Sequence, residues 1–257
     1  MGARADHLRF AMPQSLGVLK ASTLSLQLGS LLRKLLAPEL SVEMHVAESY
    51  ASLAEDLCAG RVDAAWAPPF VCAQVEREGG RGLVQFERGG STTCRAAFVC
   101  RADLLLRLDA LEGARVGWVS RESTSGYLQP RRWLERAGVT LSRAFGTELF
   151  AGSYPAALEA LIAGKVDLVT VFASSASASP SRTGLDGLPA ALRNELRIIG
   201  YSDETPNDGI VASAVMPASM FQLLRARLTT DQEHPLVKSD VSRIFDADRM
   251  VAALHPW

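Results

Sequence analysis

Short apolar runs separated by polar turns recur along the first third of the chain, and their period switches between strand and helix. Leu8-Arg9-Phe10-Ala11-Met12 reads as a short strand, ended by Pro13-Gln14-Ser15-Leu16-Gly17. Leucines at helical spacing then predict a helix over 20–36, stopped before Pro38. Val42-Glu43-Met44-His45-Val46 alternates as a half-buried strand, and Val62-Asp63-Ala64-Ala65-Trp66-Ala67 is a strand running into Pro68-Pro69. With a helix between these last two, the order β-α-β-α-β predicts a parallel sheet covered by helices.

Beyond residue 80 the pattern changes. Leu83-Val84-Gln85-Phe86 is a strand between the turns Glu78–Gly82 and Gly89–Ser91. Arg95 to Arg101 carries the longest strand signal and is expected to cross between two lobes. Leu108–Gly113 leads into a strand at Arg115-Val116-Gly117-Trp118-Val119, and Leu196–Gly200 is expected to be the return strand. Ile210–Met216 is a further strand, followed by two helices that close the first lobe. Residues 174–190, rich in Ser, Ala, Pro and Gly, read as a mobile loop rather than a folded element. The predicted lobes are 1–99 with 204–257, and 100–203.

The chain also repeats itself. Ser49 to Asp63 returns 104 positions later as Ser153 to Asp167, with eight of fifteen positions identical: Ser, Tyr, Glu55/Glu159, Leu57/Leu161, Ala59/Ala163, Gly, Val and Asp. Each copy reads as an N-capping Ser, a helix, a Gly that ends it in a left-handed conformation, and a strand. A unit used twice predicts two similar α/β lobes. Ligands of such folds bind beyond the carboxyl ends of the strands. Tyr50 and Tyr154 are thus expected at equivalent places facing one crevice.

Composition narrows the picture by exclusion. At 257 residues and 48% hydrophobic content the chain can fill a full core. A net charge of −1 leaves no basic surface to gather nucleic acid, and no apolar run reaches the ~20 residues of a membrane span. The N-terminal residues carry no secretion signal, so the expected location is the cytoplasm as the chain stands, or the periplasm (a lipoprotein included) if the true start lies upstream. Cys58, Cys72, Cys94 and Cys100 form no CxxC spacing and read as small core residues; the four histidines are scattered. Neither a metal nor a cofactor is expected.

Chemistry gathers after the strand 116–119. Ser120-Arg121-Glu122-Ser123-Thr124-Ser125-Gly126-Tyr127 precedes a helix that ends at Gly138. Three hydroxyls and a glycine at a helix N-terminus suit an oxyanion, because exposed N–H groups and the positive dipole end favour negative charge. No GxxxxGK[ST] occurs, which separates this turn from a P-loop. Trp66 and Phe70 read as core ahead of ligand contacts, and Asp63 and Asp167 as structural caps or ion partners.

The chain resembles the phosphonate/phosphate-type substrate-binding proteins of ABC transporters. The resemblance runs from about Leu8 to Pro217, on Ser49-Tyr50, Gly60 to Pro69, Ser123-Thr124-Ser125-Gly126 with Pro130, Gly152-Ser153-Tyr154, and Thr205-Pro206-Asn207-Asp208. It implies a type 2 periplasmic-binding fold: α/β, two-lobed, each lobe a mostly parallel sheet flanked by helices, with the cleft between lobes. It further implies an oxyanion headgroup clasped by Ser123, Thr124 and Ser125, with Tyr50 closing from the other lobe. Gly126, Tyr154, Gln14, Pro69 and Asp208 complete the candidate ligand-binding set. Three positions depart from the family pattern. Tyr154 stands where a His is usual, Cys94 where an aromatic is usual, and Phe172-Ala173-Ser174-Ser175 where relatives that bind aminoalkylphosphonates place a carboxylate. A small or neutral-tailed oxyanion is therefore expected: phosphate, phosphite, an alkylphosphonate or a sulfonate. The implied partner is an ABC permease or, in the cytoplasm, a signalling partner.

Two other readings compete. An enzyme of the same fold, such as a small-molecule lyase, needs an acid, base or nucleophile in the cleft. Ser125 has no evident His partner, and no GxSxG elbow occurs. A vestigial interaction domain that no longer binds ligand is the third reading, motivated by Cys94 and Tyr154.

Overall fold

The computed structural model describes residues 6–15, 17–175, 182–230, 235–253 and 257. The chain divides into two compact units: Met1–Gln14, Val18–Thr92 and Pro206–Trp257 form one, Ser15–Gly17 and Thr93–Thr205 the other.

The first unit begins with β1 (His7–Pro13), α1 (Val18–Leu36), β2 (Ser41–Ala47), α2 (Tyr50–Cys58), β3 (Ala64–Ala67), α3 (Pro69–Arg77) and β4 (Arg81–Glu87). β1 pairs in parallel with both β2 and β3. Side chains alternate across this sheet. Ala11, Ala65 and Ala67 face the cluster that holds Leu53 and Leu57 of α2 with Val71 and Val75 of α3. The intervening Leu8, Phe10 and Met12 are fully buried as well. In α1, Leu24, Leu28, Leu31, Leu32, Leu35 and Leu36 form the buried stripe, each contributing about 1.5–3 kcal/mol by leaving water.

In the second unit come β5 (Thr93–Arg101), β6 (Ala114–Trp118), a π-helical turn (Thr124–Leu128), α4 (Gln129–Arg136), α5 (Leu141–Ala144), β7 (Phe145–Phe150), α6 (Tyr154–Ile162), β8 (Leu168–Ser174), α7 (Ala190–Asn194), β9 (Leu196–Tyr201) and β10 (Thr205–Pro206). β6 pairs in parallel with β7 and β8. Alternation again splits the core. Val169, Val171 and Ala173 of β8 join Leu158 and Leu161 of α6, whereas Leu168 joins Leu134 of α4.

The chain then returns to the first unit as β11 (Gly209–Ala212), α8 (Ala218–Thr230), α9 (Pro235–Phe245) and β12 (Arg249–Ala252). β11 inserts antiparallel between β3 and β4, and β12 pairs antiparallel with β4. In the second unit β5 is likewise antiparallel to β8 and β9. Each sheet is therefore mixed: β2-β1-β3 and β7-β6-β8 are parallel, and the strands set against them, β11 and β5, run the opposite way.

Several details differ from the sequence expectation. β5 does not cross between units; it lies in the second sheet, and the chain passes from one unit to the other after Thr92 and after Thr205. The strand expected over 210–216 stops at Ala212, where Ser213 turns the chain and accepts from the Met216 N–H. In the segment expected as a mobile loop, 176–181 lie outside the described residues. Residues 182–188 are folded onto the sheet: Gly184 N donates to Phe172 O at 2.8 Å, Leu185 is buried beside Leu158, and Asp186 accepts from the Thr183 N–H. Two leucines among small residues, Leu185 and Leu188, supply the apolar anchor that composition averaged away. Cys58 is exposed, whereas Cys72, Cys94 and Cys100 are buried.

Candidate functional site

The duplicated segment folds twice in the same way. α2 and α6 start and stop at positions 104 residues apart. Ser49 Oγ accepts from Ser52 N at 3.0 Å, and Ser153 Oγ from Ala156 N at 3.3 Å, each satisfying a first-turn donor that has no partner within its helix. Gly60 and Gly164 follow with φ of 66° and 69°, the left-handed geometry that side chains resist.

The aspartates that close the two copies are ion partners. Asp63 accepts from Arg9 N (2.8 Å), Nε (3.1 Å) and Nη2 (2.6 Å). Asp167 accepts from Arg115 N (3.0 Å), Nε (3.0 Å) and Nη2 (2.6 Å). Hydrogen bonds from Arg115 hold the Asp167 carboxyl below its ordinary pKa, and the same bonding raises that of Arg115. Hydrogen bonding to Asp63 raises Arg9 likewise. Arg9 and Arg115 thus extend the repeat to the strands before it. The signal is present in Leu8-Arg9-Phe10 and Ala114-Arg115-Val116, an arginine framed by apolar strand residues.

With the sheets so fixed, the carboxyl ends of the parallel strands carry the candidate residues. In the second unit, β6 runs into Ser120 and then the π-helical turn, for which Ser123 is the N-cap. Ser123 is fully buried, and its Oγ accepts from Gly126 N at 3.2 Å. The same Oγ lies 3.2 Å from the Tyr154 hydroxyl at the start of α6. α4 and α6 lie on opposite faces of the sheet, so this contact joins two helix N-termini across its edge. Ser125 and Gly126 are buried, and Thr124 is half-buried. Gly126 is required by close approach: a Cβ there would stand 2.6 Å from both Ser123 Oγ and Val119 Cγ2. Five of the nine predicted residues, Ser123, Thr124, Ser125, Gly126 and Tyr154, therefore meet within one unit. β8 ends beside them at Ser174, whose strand partner is Cys94. Ser175 follows with its Oγ buried and without a hydrogen-bond partner among the described residues.

The other four residues lie at the equivalent edge of the first unit. Gln14 follows β1 and donates from its N–H to Ala47 O at 3.1 Å. Tyr50 opens α2, its ring within the apolar cluster of Leu53 and Val71. Pro69 opens α3 after β3, and Asp208 precedes β11, whose Gly209 pairs with Ala67 at the end of β3. Asp208 Oδ2 accepts from Trp66 Nε1 (2.5 Å) and Oδ1 from Arg88 Nη1 (2.6 Å). Arg88 is 5% exposed and also donates to Phe245 O and Asp246 O. A buried cation thus neutralises this carboxylate. Trp66 is core as well, edge-on to Phe86 and Phe245, while Phe70 is exposed. Sequence reasoning missed Arg88, which follows an ordinary strand and precedes a Gly-Gly turn; only the pairing of distant segments reveals its role.

No group of His, Cys, Asp or Glu among the described residues is arranged to hold a metal ion. Among the same residues, no helix is long and apolar enough to cross a membrane.

Similarity to known proteins agrees with this geometry. A family model described as ABC transporter, phosphonate, periplasmic substrate-binding protein matches residues 26–255. The phosphate-import protein PhnD of Mycolicibacterium smegmatis is 26% identical over 219 residues, spanning 80% of this chain and 68% of that protein. PhnD1 from Prochlorococcus marinus, solved in complex with methylphosphonate, superposes with a TM-score of 0.82 at 18% identity, covering 97% of this chain and 93% of that one. The binding protein component of an ABC phosphonate transporter from Pseudomonas aeruginosa gives 0.79 at 17% identity, covering 97% and 82%. The superpositions speak for the fold: two sheets flanked by helices, the type 2 periplasmic-binding architecture. The chain belongs to the phosphonate-binding family of periplasmic substrate-binding proteins of ABC transporters, whose members bind small solutes and work with a permease instead of catalysing a reaction.

Proposed function

We propose that this protein binds a small phosphorus oxyanion, of phosphonate, phosphate or phosphite type, and delivers it to an ABC permease. One observation carries the reading: the Ser123–Tyr154 contact, which brings two helix N-termini and the buried Ser125–Gly126 backbone to one edge of the second sheet. Helix N-termini favour an anion through their donors and dipole, and hydroxyls add further donors. Gln14, Tyr50, Pro69 and Asp208 are the proposed contributions of the first unit. The PhnD1 neighbour was solved with methylphosphonate, and the curated relative is a phosphate importer; both support this choice of headgroup.

The tail of the ligand is small and uncharged. Where β8 ends, the residues are Ser174 and Ser175 with Cys94 alongside, none of them a carboxylate to meet an ammonium group. Aminoethylphosphonate should bind more weakly than methylphosphonate.

A thermal-shift panel of phosphate, phosphite, methylphosphonate, aminoethylphosphonate, sulfate and small sulfonates tests the reading. Ligand at a hundred times its Kd adds about 2.7 kcal/mol, or about 5–10 °C for a chain of this size. Ser125→Ala should weaken the selected ligand by about 1–3 kcal/mol, the cost of leaving a charged acceptor short of a donor. Unchanged affinity in Ser125→Ala would remove the site from this helix terminus. No shift across the panel would return the vestigial interaction domain as the better reading.

A further inference from the structure

We propose that Trp257 is a positioning residue for the Asn207–Asp208 corner of the first unit; the inference rests on the reading of Asp208 as a ligand-binding residue. Trp257 lies far from Asp208 in sequence, yet its indole Nε1 donates to Asn207 O at 2.8 Å. Its main-chain N–H donates to Glu76 Oε2 at 2.9 Å, tying it to α3. The ring lies over two glycines on neighbouring strands. A Cβ at Gly209 would collide with Val84 O and stand 2.5 Å from Trp257 Cζ2, and one at Gly82 would stand 2.7 Å from Cζ3 and 2.9 Å from Ala253 Cβ. Glycine at both places leaves the indole room, the one at 209 being required by the β4 backbone as well, so β4 and β11 together form a slot that the ring fills.

The slot matters because of what the corner holds. Asn207 is fully buried; its N–H donates to Thr92 O at 2.7 Å, and its Nδ2 to Phe86 O (2.9 Å) and Ser91 O (3.0 Å). Asp208 O accepts from Phe86 N at 3.0 Å, while its carboxylate is aimed by Trp66 and Arg88. These bonds hold the corner from the β4 side and from the opposite face of the sheet. The Trp257 indole holds it from the face that α2 and α3 cover, against whose cluster the ring packs. Without that donor the Asn207 carbonyl must turn to water, and the peptide leading into Asp208 turns with it. The orientation of the Asp208 carboxylate then loosens.

Trp257→Phe keeps a ring over the glycines and removes the donor, whereas Trp257→Ala empties the slot. Amide hydrogen exchange on the ligand-free full chain reads the corner directly. In Trp257→Phe the amides of Phe86 and Asn207 should exchange at least about tenfold faster relative to that of Leu53, which bonds Ser49 O within α2. Affinity for methylphosphonate or inorganic phosphate should fall about three- to tenfold, the loss of one hydrogen bond. Trp257→Ala should do both more strongly; where it does not fold, the Phe variant decides. Unchanged exchange at Phe86 and Asn207 in Trp257→Phe overturns the proposal, as does faster exchange with unaltered affinity for a probe the wild type binds, since the ring would then only fill space. Ser125→Ala, run alongside, should weaken binding without altering exchange at Phe86. If the wild type binds neither probe, the oxyanion reading fails, and the exchange result alone decides whether Trp257 positions the corner.

Discussion

Asp63 and Asp167 return to Arg9 and Arg115 through the same three donors, and the helices before them start and stop in register. The two tyrosines that open those helices nevertheless differ. Tyr50 is buried in an apolar cluster of the first unit, while Tyr154 is half-buried against the matching cluster of the second and also reaches Ser123 at the turn that follows β6. The first unit instead gathers its polar groups around Asp208, which Trp66 holds from β3, where the second copy has Thr170, and Arg88 holds from just beyond β4. The duplication copied a scaffold of cap, left-handed glycine and ion pair. The chemistry at the two edges was supplied by what packs against that scaffold.

The largest expected effect tests whether the two scaffolds are equally important. The Asp63 side chain is 7% exposed and that of Asp167 20%. Asp63→Ala should cost about 3 kcal/mol, because it strands the half-buried Arg9 guanidinium, and Asp167→Ala about 1–2 kcal/mol, because water reaches that pair. Equal losses in denaturant unfolding would break the distinction. A second contrast lies in the tyrosines. Tyr50→His should lose up to about 0.8 kcal/mol of stability as pH falls from 8 to 6, since burial disfavours the imidazolium and its pKa drops below about 6.5. Tyr154→His should instead bind oxyanion more tightly at pH 6 than at pH 8, because only there does the ring gain charge. Similar pH profiles for both variants, in unfolding and in ligand titration, would place the tyrosines in equivalent surroundings after all.

The smallest effect concerns the ion pair of the second unit alone. Hydrogen bonds from Arg115 depress the Asp167 pKa. The stability this contributes is present above the unfolded value of about 3.9 and is lost as pH falls through the lowered folded value. The stability gap between wild type and Asp167→Asn should therefore be at its full width at and above about pH 5 and close on acidification below about pH 4. A gap that stays constant would mean that the carboxylate charge adds nothing to the clasp.

Much of this is legible in the order of the residues. Ser49, Ser153, Gly60 and Gly164 act within a few residues of themselves, through a cap or a left-handed turn, so their sequence context is sufficient. The run Ser123–Gly126 is legible for the same reason: the N-cap and its acceptor bond to Gly126 are local. β7 escapes the pattern because its exposed residues show no alternation, and β12 because four residues after a helix carry too little signal. For Asp63 and Asp167 the sequence leaves cap and ion partner as alternatives, since each arginine lies more than fifty residues upstream.

What the sequence determined by itself is the duplicated unit and most of the elements around it, because capping, helix termination and hydrophobic period depend on neighbours along the chain. Tertiary structure alone decided which side chains meet: Arg9 with Asp63, Tyr154 with Ser123, Arg88 and Trp66 with Asp208, and Trp257 over Gly82 and Gly209. Those meetings follow from strand register and from which face of a sheet each residue points to. Both are set by packing among segments far apart in the chain, so no local pattern encodes them.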